Sequence, residues 1–207
     1  IEDVCLSDIE KYKLCIFLNQ FEVGEKFRAR IRELQQKGVY VLWIFAPDYA
    51  NNGKPSVQNV SEITGMNTVD STASHGALDG FTSGLSSPFF SIKDSNARTI
   101  ATFEDSSVAI AQSGKTFYCA STFIPTKYLK QILDIVGIYR YSDENKVYTY
   151  PTDNALGVYN ATDSDAVINV KENGVYTDKI TDEKFVATDN KLVLPKRDMR
   201  AYLLVKE

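Results

Sequence analysis

The residues best suited to nucleophilic chemistry are three cysteines, Cys5, Cys15 and Cys119, and a single histidine, His75. A catalytic thiol needs a lowered pKa, an activating base and a sharp Gly-flanked turn that lifts it clear of its strand. None of the three lies in a Gly-x-Cys-x-Gly setting. Cys15, in Leu14-Cys15-Ile16-Phe17, and Cys119, in Phe117-Tyr118-Cys119-Ala120, lie in apolar runs and read as small core residues. An odd count at irregular spacing specifies neither a disulfide framework nor a metal site, so a bond from Cys5 to either partner stays open. One histidine excludes His-rich metal sites and weakens any Ser-His-Asp arrangement. Placed in Ser74-His75-Gly76 within a polar stretch, it is expected in solvent. The expectation is therefore no catalytic residue, no metal and no cofactor.

Binding chemistry has one candidate. Asp48, Tyr49, Asn51 and Asn52 follow the apolar run Val39 to Phe45. Loops at the carboxyl ends of parallel strands are where open α/β sheets place ligands. A tyrosine ring to stack and Asp/Asn groups to hydrogen-bond would suit a sugar. The plainer reading, and the favoured one, is a turn rich in Asn and Gly for conformational reasons. Asn59-Val60-Ser61 and Asn160-Ala161-Thr162 match the glycosylation sequon, a pattern short enough to arise by chance.

The elements that must position these residues follow from hydropathy. Leu14 to Leu18 and Val39 to Phe45 are unbroken apolar runs, as in strands covered on both faces. Between them Val23, Phe27, Ile31 and Leu34 recur at helical spacing among charged residues, and Gly38 ends the segment. Strand, helix and strand at this spacing predict a βαβ unit with parallel strands. A short helix near Ser56 to Thr64 is capped by Ser56 and closed by Gly65. Residues 70–96, rich in Ser, Thr, Gly and Asp, read as a covering excursion or a mobile loop. Strands follow at Ile100–Phe103, Val108–Ala111 and Thr116–Ala120, with turns at Asp105-Ser106 and Ser113-Gly114. Pro125 opens a helix with Tyr128, Leu129, Ile132, Leu133 and Val136 on one face, and Gly137 stops it. Beyond Tyr141 seven short β-like segments alternate with Asp/Asn/Gly turns, the mark of a small all-β module.

Composition narrows the function classes. The chain has 207 residues, 43% hydrophobic and 24% charged, as in ordinary folded proteins rather than disordered ones. Net charge is −4 and the basic residues are dispersed, which argues against a nucleic-acid partner. No apolar run approaches the ~18 residues a membrane span needs. The chain begins at Ile1 and enters strand-like sequence almost at once, so it reads as a piece of something longer.

The segments Tyr12 to Asn19, Gly38 to Pro47 and Ser61-Glu62-Ile63-Thr64-Gly65, with Ile100 to Asp105 and Phe117 to Gly137, resemble the trimerisation-type domain of glycoside hydrolase family 42 β-galactosidases. Lys191 to Pro195 and Ala201 to Val205 look like the small β domain that ends many such hydrolases. The resemblance covers nearly the whole chain apart from residues 70–96, and Asp48 stands where such relatives are expected to carry Gly. It implies a flavodoxin-like, glutamine amidotransferase-like fold. The expectation is a three-layer α/β domain with a mainly parallel sheet over 1–141, antiparallel additions from the 97–121 region, and a sandwich-like antiparallel β domain over 142–207.

The family's catalytic carboxylates lie on a (β/α)₈ barrel N-terminal to that domain, and a barrel of about 250 residues does not fit in this chain. The resemblance implies an accessory, oligomerising region without chemistry of its own. Its partners are then the N-terminal catalytic barrel of the same polypeptide, with a homo-oligomer and a carbohydrate as further options. Glycoside hydrolysis needs two carboxylates about 5–10 Å apart, and none of the 27 acidic residues has a context that singles it out. Two rival readings remain. A stand-alone carbohydrate-binding protein would show a cluster of exposed aromatic residues on one face. A small amidotransferase-like hydrolase would carry one reactive cysteine.

Overall fold

The structure, a computed structural model, describes residues 4–5, 7–85, 87–198 and 200–207, the side chain of Asn52 excepted. It divides into two compact units, Ile1–Ile138 and Tyr139–Glu207.

In the first unit β1 (Leu14–Leu18), α1 (Glu25–Gln36) and β2 (Tyr40–Ile44) form the βαβ unit that the hydropathy pattern demands. α1 lays Phe27, Ile31 and Leu34 into the core, and Trp43 of β2 is fully buried beneath it. The Trp43 ring stacks on Phe17 at 4.7 Å and lies 6.3 Å from Phe27. A short 3₁₀ turn, Asn51–Gly53, leads to α2 (Val57–Thr64). Ser56 caps α2 by accepting from the Gln58 N–H, and Gly65 closes it at φ +69°, a left-handed conformation that favours glycine. Then come β3 (Thr68–Ser71), β4 (Phe89–Ile92), β5 (Arg98–Thr102), β6 (Val108–Ser113), β7 (Thr116–Cys119) and α3 (Thr126–Val136), which Gly137 ends.

These strands make one seven-stranded sheet in the order β1-β2-β7-β6-β4-β3, with β5 on β6. Only β1, β2 and β7 run parallel, and every pairing beyond β7 is antiparallel. The expectation of a mainly parallel, flavodoxin-like, amidotransferase-like three-layer domain is thereby overturned. The physical reason is visible in the connections. Parallel neighbours need a crossover of a dozen or more residues, whereas tight turns join antiparallel ones. The turns at Asp105-Ser106 and Ser113-Gly114 fold 98–119 back on itself as a meander, and no helix intervenes. With three α-helices against fourteen strands among the described residues, the chain as a whole is β-rich.

The second unit contains β8 (Val147–Pro151), β9 (Leu156–Asn160), β10 (Ala166–Asn169), β11 (Gly174–Asp178), β12 (Lys184–Ala187), β13 (Lys191–Leu194) and β14 (Ala201–Lys206). All seven fall on the segments read from the alternation. A five-stranded sheet, β12-β11-β14-β9-β8, and a β10-β13 pair share one core that includes Val158, Ile168, Leu192 and Leu204. Asp178 is fully buried at one corner of this unit. Its carboxylate accepts from the N–H of Leu203 at 2.8 Å, from Thr181 at 2.9 Å and from Arg197 at 2.6 Å.

Candidate functional site

The corner after β2 is the first place to look. Asp48 is completely buried and adopts φ +59°, the backbone conformation that explains why a glycine would fit there. Its Oδ1 accepts from the Val23 N–H at 2.7 Å, and its Oδ2 accepts from Asn51 Nδ2 at 3.2 Å and pairs with Arg28 of α1. Its own N–H donates to the Gln20 carbonyl at 2.7 Å. Asp48 thus ties the corner to the 20–23 segment and to α1. Tyr49 is half-buried with its ring edge-on to Phe90 at 5.2 Å, and it borders an open groove with Asp70 and Ser71. Asn51 is spent on Asp48, and the Asn52 side chain lies outside the described residues. The structure brings Asp48 and Asn51 together, turned inward, and leaves Tyr49 facing a different partner. Of the two sequons, Asn160 is buried with its amide donating to the Ser164 carbonyl at 2.8 Å.

Neither Cys15 nor Cys119 is placed as an activated nucleophile. All three cysteines are free. Burial pushes the Cys119 thiol up to about 12, and its S–H points at the Phe123 carbonyl at 3.4 Å. Burial also raises Cys15. At neutral pH these two are thiols rather than thiolates. No cluster of His, Cys, Asp or Glu among the described residues could hold a metal ion, and no helix among them is long and apolar enough to cross a membrane.

A cavity that the sequence reading did not locate lies one step earlier in the chain. Phe45 follows β2, and Ala120 and Ser121 follow β7, so the carboxyl ends of two neighbouring parallel strands form its floor. Tyr118 fixes that floor by donating its buried hydroxyl to the Phe45 carbonyl at 2.7 Å. The polar excursion folds over the floor instead of staying in solvent. Ala77 and Leu78 are buried beneath it, and β3 and β4 pair as an antiparallel ladder at its two ends.

His75 lines this cavity with its side chain only 14% exposed, which corrects its expected place in solvent. Two backbone bonds, Glu104 N–H to Ala77 and Asp105 N–H to His75, dock its segment on the 103–107 turn. Gly76 makes this docking possible. It adopts φ +81°, and a Cβ there would lie 2.6 Å from Glu104 Oε2 and 2.8 Å from Glu104 Cβ. The imidazole stacks on Phe103 at 5.4 Å, and its Nδ1 meets Asp105 Oδ2 at 2.7 Å. Its Nε2 is buried and has no hydrogen-bond partner. Asp105 also accepts from the N–H and hydroxyl of Ser107. Burial raises the Asp105 pKa, but the bonds from Ser107 and His75 outweigh it and leave the carboxyl below its ordinary value. In the neutral form of the ring, an ionised Asp105 facing Nδ1 favours the proton on that nitrogen and makes Nε2 the acceptor. The cavity is small, about 20 Å³, room for little more than a water molecule. Thirty residues separate His75 from Asp105, so only the fold could reveal the pair; Gly76 was the local signal of a close approach.

A third feature lies in the second unit. Tyr148 pairs with Tyr159 across β8 and β9, and Tyr150 with Gly157, which in turn faces Leu203 of β14. Tyr148, Tyr150, Tyr159 and Leu203 therefore share the outer face of the five-stranded sheet, and all four are exposed.

At the level of sequence no family model matches the chain, and neither does a curated protein. Solved structures do match. A catalytic mutant of a GH42 β-galactosidase from G. stearothermophilus superposes with a TM-score of 0.66 at 18% identity over 96% of this chain and 32% of its own. For a β-galactosidase from Bacillus circulans sp. alkalophilus the values are 0.67, 13%, 98% and 34%. This chain has the fold of one part of GH42 β-galactosidases. The resemblance read from the sequence thus holds at the level of the fold, although that fold is β-rich rather than flavodoxin-like. An α-L-fucosidase isoenzyme 2 from Paenibacillus thiaminolyticus also shares it, with a TM-score of 0.59 at 12% identity over 98% of this chain and 42% of its own. The chain spans about a third of the length of the GH42 structures it matches, so the likeness concerns a region of those enzymes.

Proposed function

We propose that this chain is a non-catalytic accessory and oligomerising region of a β-galactosidase-like glycoside hydrolase. The observation that carries the reading is the match of nearly the whole chain, through both units, to a third of each GH42 chain. The inert Cys119 and the inward commitment of Asp48 agree with a region that does no chemistry of its own. β1 supports the oligomerising role. It is an edge strand of the sheet, and Ile16 and Leu18 stand exposed along it with Tyr12 exposed just ahead of it, an arrangement suited to a protein partner. The partners in this reading are a catalytic barrel of the same polypeptide and further copies of the protein. Immunoprecipitation of the native gene product with an antibody against this chain tests the reading. A product well above 23.2 kDa that hydrolyses nitrophenyl galactosides supports it. A product of 23.2 kDa without that activity overturns it.

A second reading, carbohydrate binding by the chain itself, is favoured by the exposed tyrosines on the face of β8 and β9. Aromatic rings presented flat on a sheet offer stacking surface to sugar rings. Retention of the chain on insoluble β-glucan or galactan, lost in Tyr148→Ala/Tyr150→Ala, would support it, and equal elution of parent and variant would remove it.

A further inference from the structure

We propose that the open groove beside Tyr49 binds a pyranose sugar, with Asp70 accepting from its hydroxyls and Tyr49 supporting the ring. The groove lies at the loop that follows β2, beyond the carboxyl end of a parallel strand, where open sheets place small ligands. Tyr49, Asp70, Ser71, Thr72, Ser87 and Pro88 line it. It has about 220 Å³ of room, against about 20 Å³ beside His75, so it admits a sugar ring where that cavity admits only water.

Sheet register sets the two chief groups side by side. Asp70 of β3 pairs directly with Phe90 of β4, so their side chains share one face of the sheet. Phe90 is buried there, with the rings of Tyr49 and Phe45 packed against it at 5.2 and 5.4 Å. Tyr49 therefore covers Phe90 and stands next to Asp70. β3 is the edge strand of the sheet, and Asp70 is exposed on it. Neither its carboxylate nor the Tyr49 hydroxyl is bonded to another described residue. The loop is also held in place before a ligand arrives. The Tyr49 carbonyl accepts from the Ser56 N–H at 2.8 Å, and its neighbour Asp48 is tied to Arg28 and to the Val23 N–H.

The lining decides the class of ligand. It contains no Lys or Arg among the described residues, so nothing there would neutralise a phosphate or carboxylate. One aromatic ring and one proline give too little surface to enclose a quaternary ammonium, which is held in a cage of several rings. Asp70 is a strong acceptor, and Ser71, Thr72 and Ser87 add hydroxyls. A pyranose carries hydroxyl donors around apolar C–H faces and so meets both the polar and the apolar walls. The site belongs to the first unit alone. It rests neither on the accessory role proposed above nor on the tyrosine face of the second unit.

Titration of the ¹⁵N-labelled chain with methyl β-D-galactoside and methyl β-D-glucoside, followed by amide chemical shifts, tests the site. At least one sugar, in the millimolar range, should shift the amides of Tyr49 and of residues 70–72 saturably. Sodium phosphate and choline at the same concentrations should not. Asp70→Ala should weaken the binding about tenfold or more, through loss of a charge-assisted hydrogen bond. Asp70 is exposed, so this variant should keep the fold, which the fluorescence of buried Trp43 verifies. Tyr49→Leu should weaken the transfer of magnetic saturation from the protein to the C–H protons of the sugar. The proposal falls if neither sugar moves those amides, or if the shifts are confined to β8 and β9. It falls equally if choline moves them and the sugars do not, or if folded Asp70→Ala binds as the parent does.

Discussion

Replacing Asp48 by Asn separates the electrostatic role of this corner from its backbone role. Asn tolerates the left-handed conformation that Asp48 adopts at φ +59°, and its Oδ1 can still accept from the Val23 N–H. What it cannot do is neutralise Arg28, because its NH₂ group faces a guanidinium that also only donates. Arg28 is 9% exposed and Asp48 is 0% exposed, so the pair is buried. Removing one partner of such a pair costs about 3–5 kcal/mol, because the other charge is left without compensation. Glu62 and Glu25 approach Arg28 at 3.7 and 3.9 Å and soften the loss, which favours the lower end. A loss of about 3 kcal/mol lowers the melting temperature of a unit of this size by roughly 10 °C. Trp43, the sole tryptophan, is fully buried in the first unit, so its fluorescence reports that unit without interference from the second. Arg28→Met in the Asp48→Asn background should recover part of the loss, since no buried charge remains. A single variant within about 0.5 kcal/mol of the parent would refute the reasoning, because surface substitutions away from specific interactions fall in that range.

Gly76→Ala should destabilise the first unit by about 1–3 kcal/mol through the positive φ and the contact with Glu104, and should shift the His75 ring nitrogens as their bond to Asp105 breaks. Thermal unfolding and the ¹⁵N spectrum check the two effects. In the second unit, burial raises the Asp178 pKa, but bonds from Leu203, Arg197, Ile180 and Thr181 outweigh it and hold the carboxyl below its ordinary 3.8. A depressed folded-state pKa means stability that is present above 3.8 and lost as the pH falls below it. Asp178→Asn should flatten that acid limb of the second unit's unfolding curve, followed by tyrosine fluorescence. Cys119 should resist thiol reagents at pH 8 until the protein unfolds, because its thiol titrates near 12. Rapid labelling of Cys119 in the native state would refute its assignment as a buried, protonated thiol.

Hydropathy alone determined most of the local structure. The two apolar runs, the helical spacing of Phe27, Ile31 and Leu34, and the Ser56 and Gly65 caps predict β1, β2, α1 and α2, and all four are present. The short β-like segments set between Asp/Asn/Gly turns beyond Tyr141 predict each strand of the second unit, because such turns break the chain at short intervals. These are short-range constraints, and a chain carries them residue by residue. The sheet's direction beyond β7 was decided by how the 98–119 meander pairs, and pairing is a long-range property. The same holds for the polar residues. Asp48 read as a turn residue, with a ligand group as the alternative, and only the fold shows it buried against Arg28 and the Val23 N–H. His75 resembled a solvated loop residue until the excursion laid it on Phe103 and Asp105, thirty positions away. A polar side chain acquires its role from the partners that enclose it, and tertiary structure alone chose those partners.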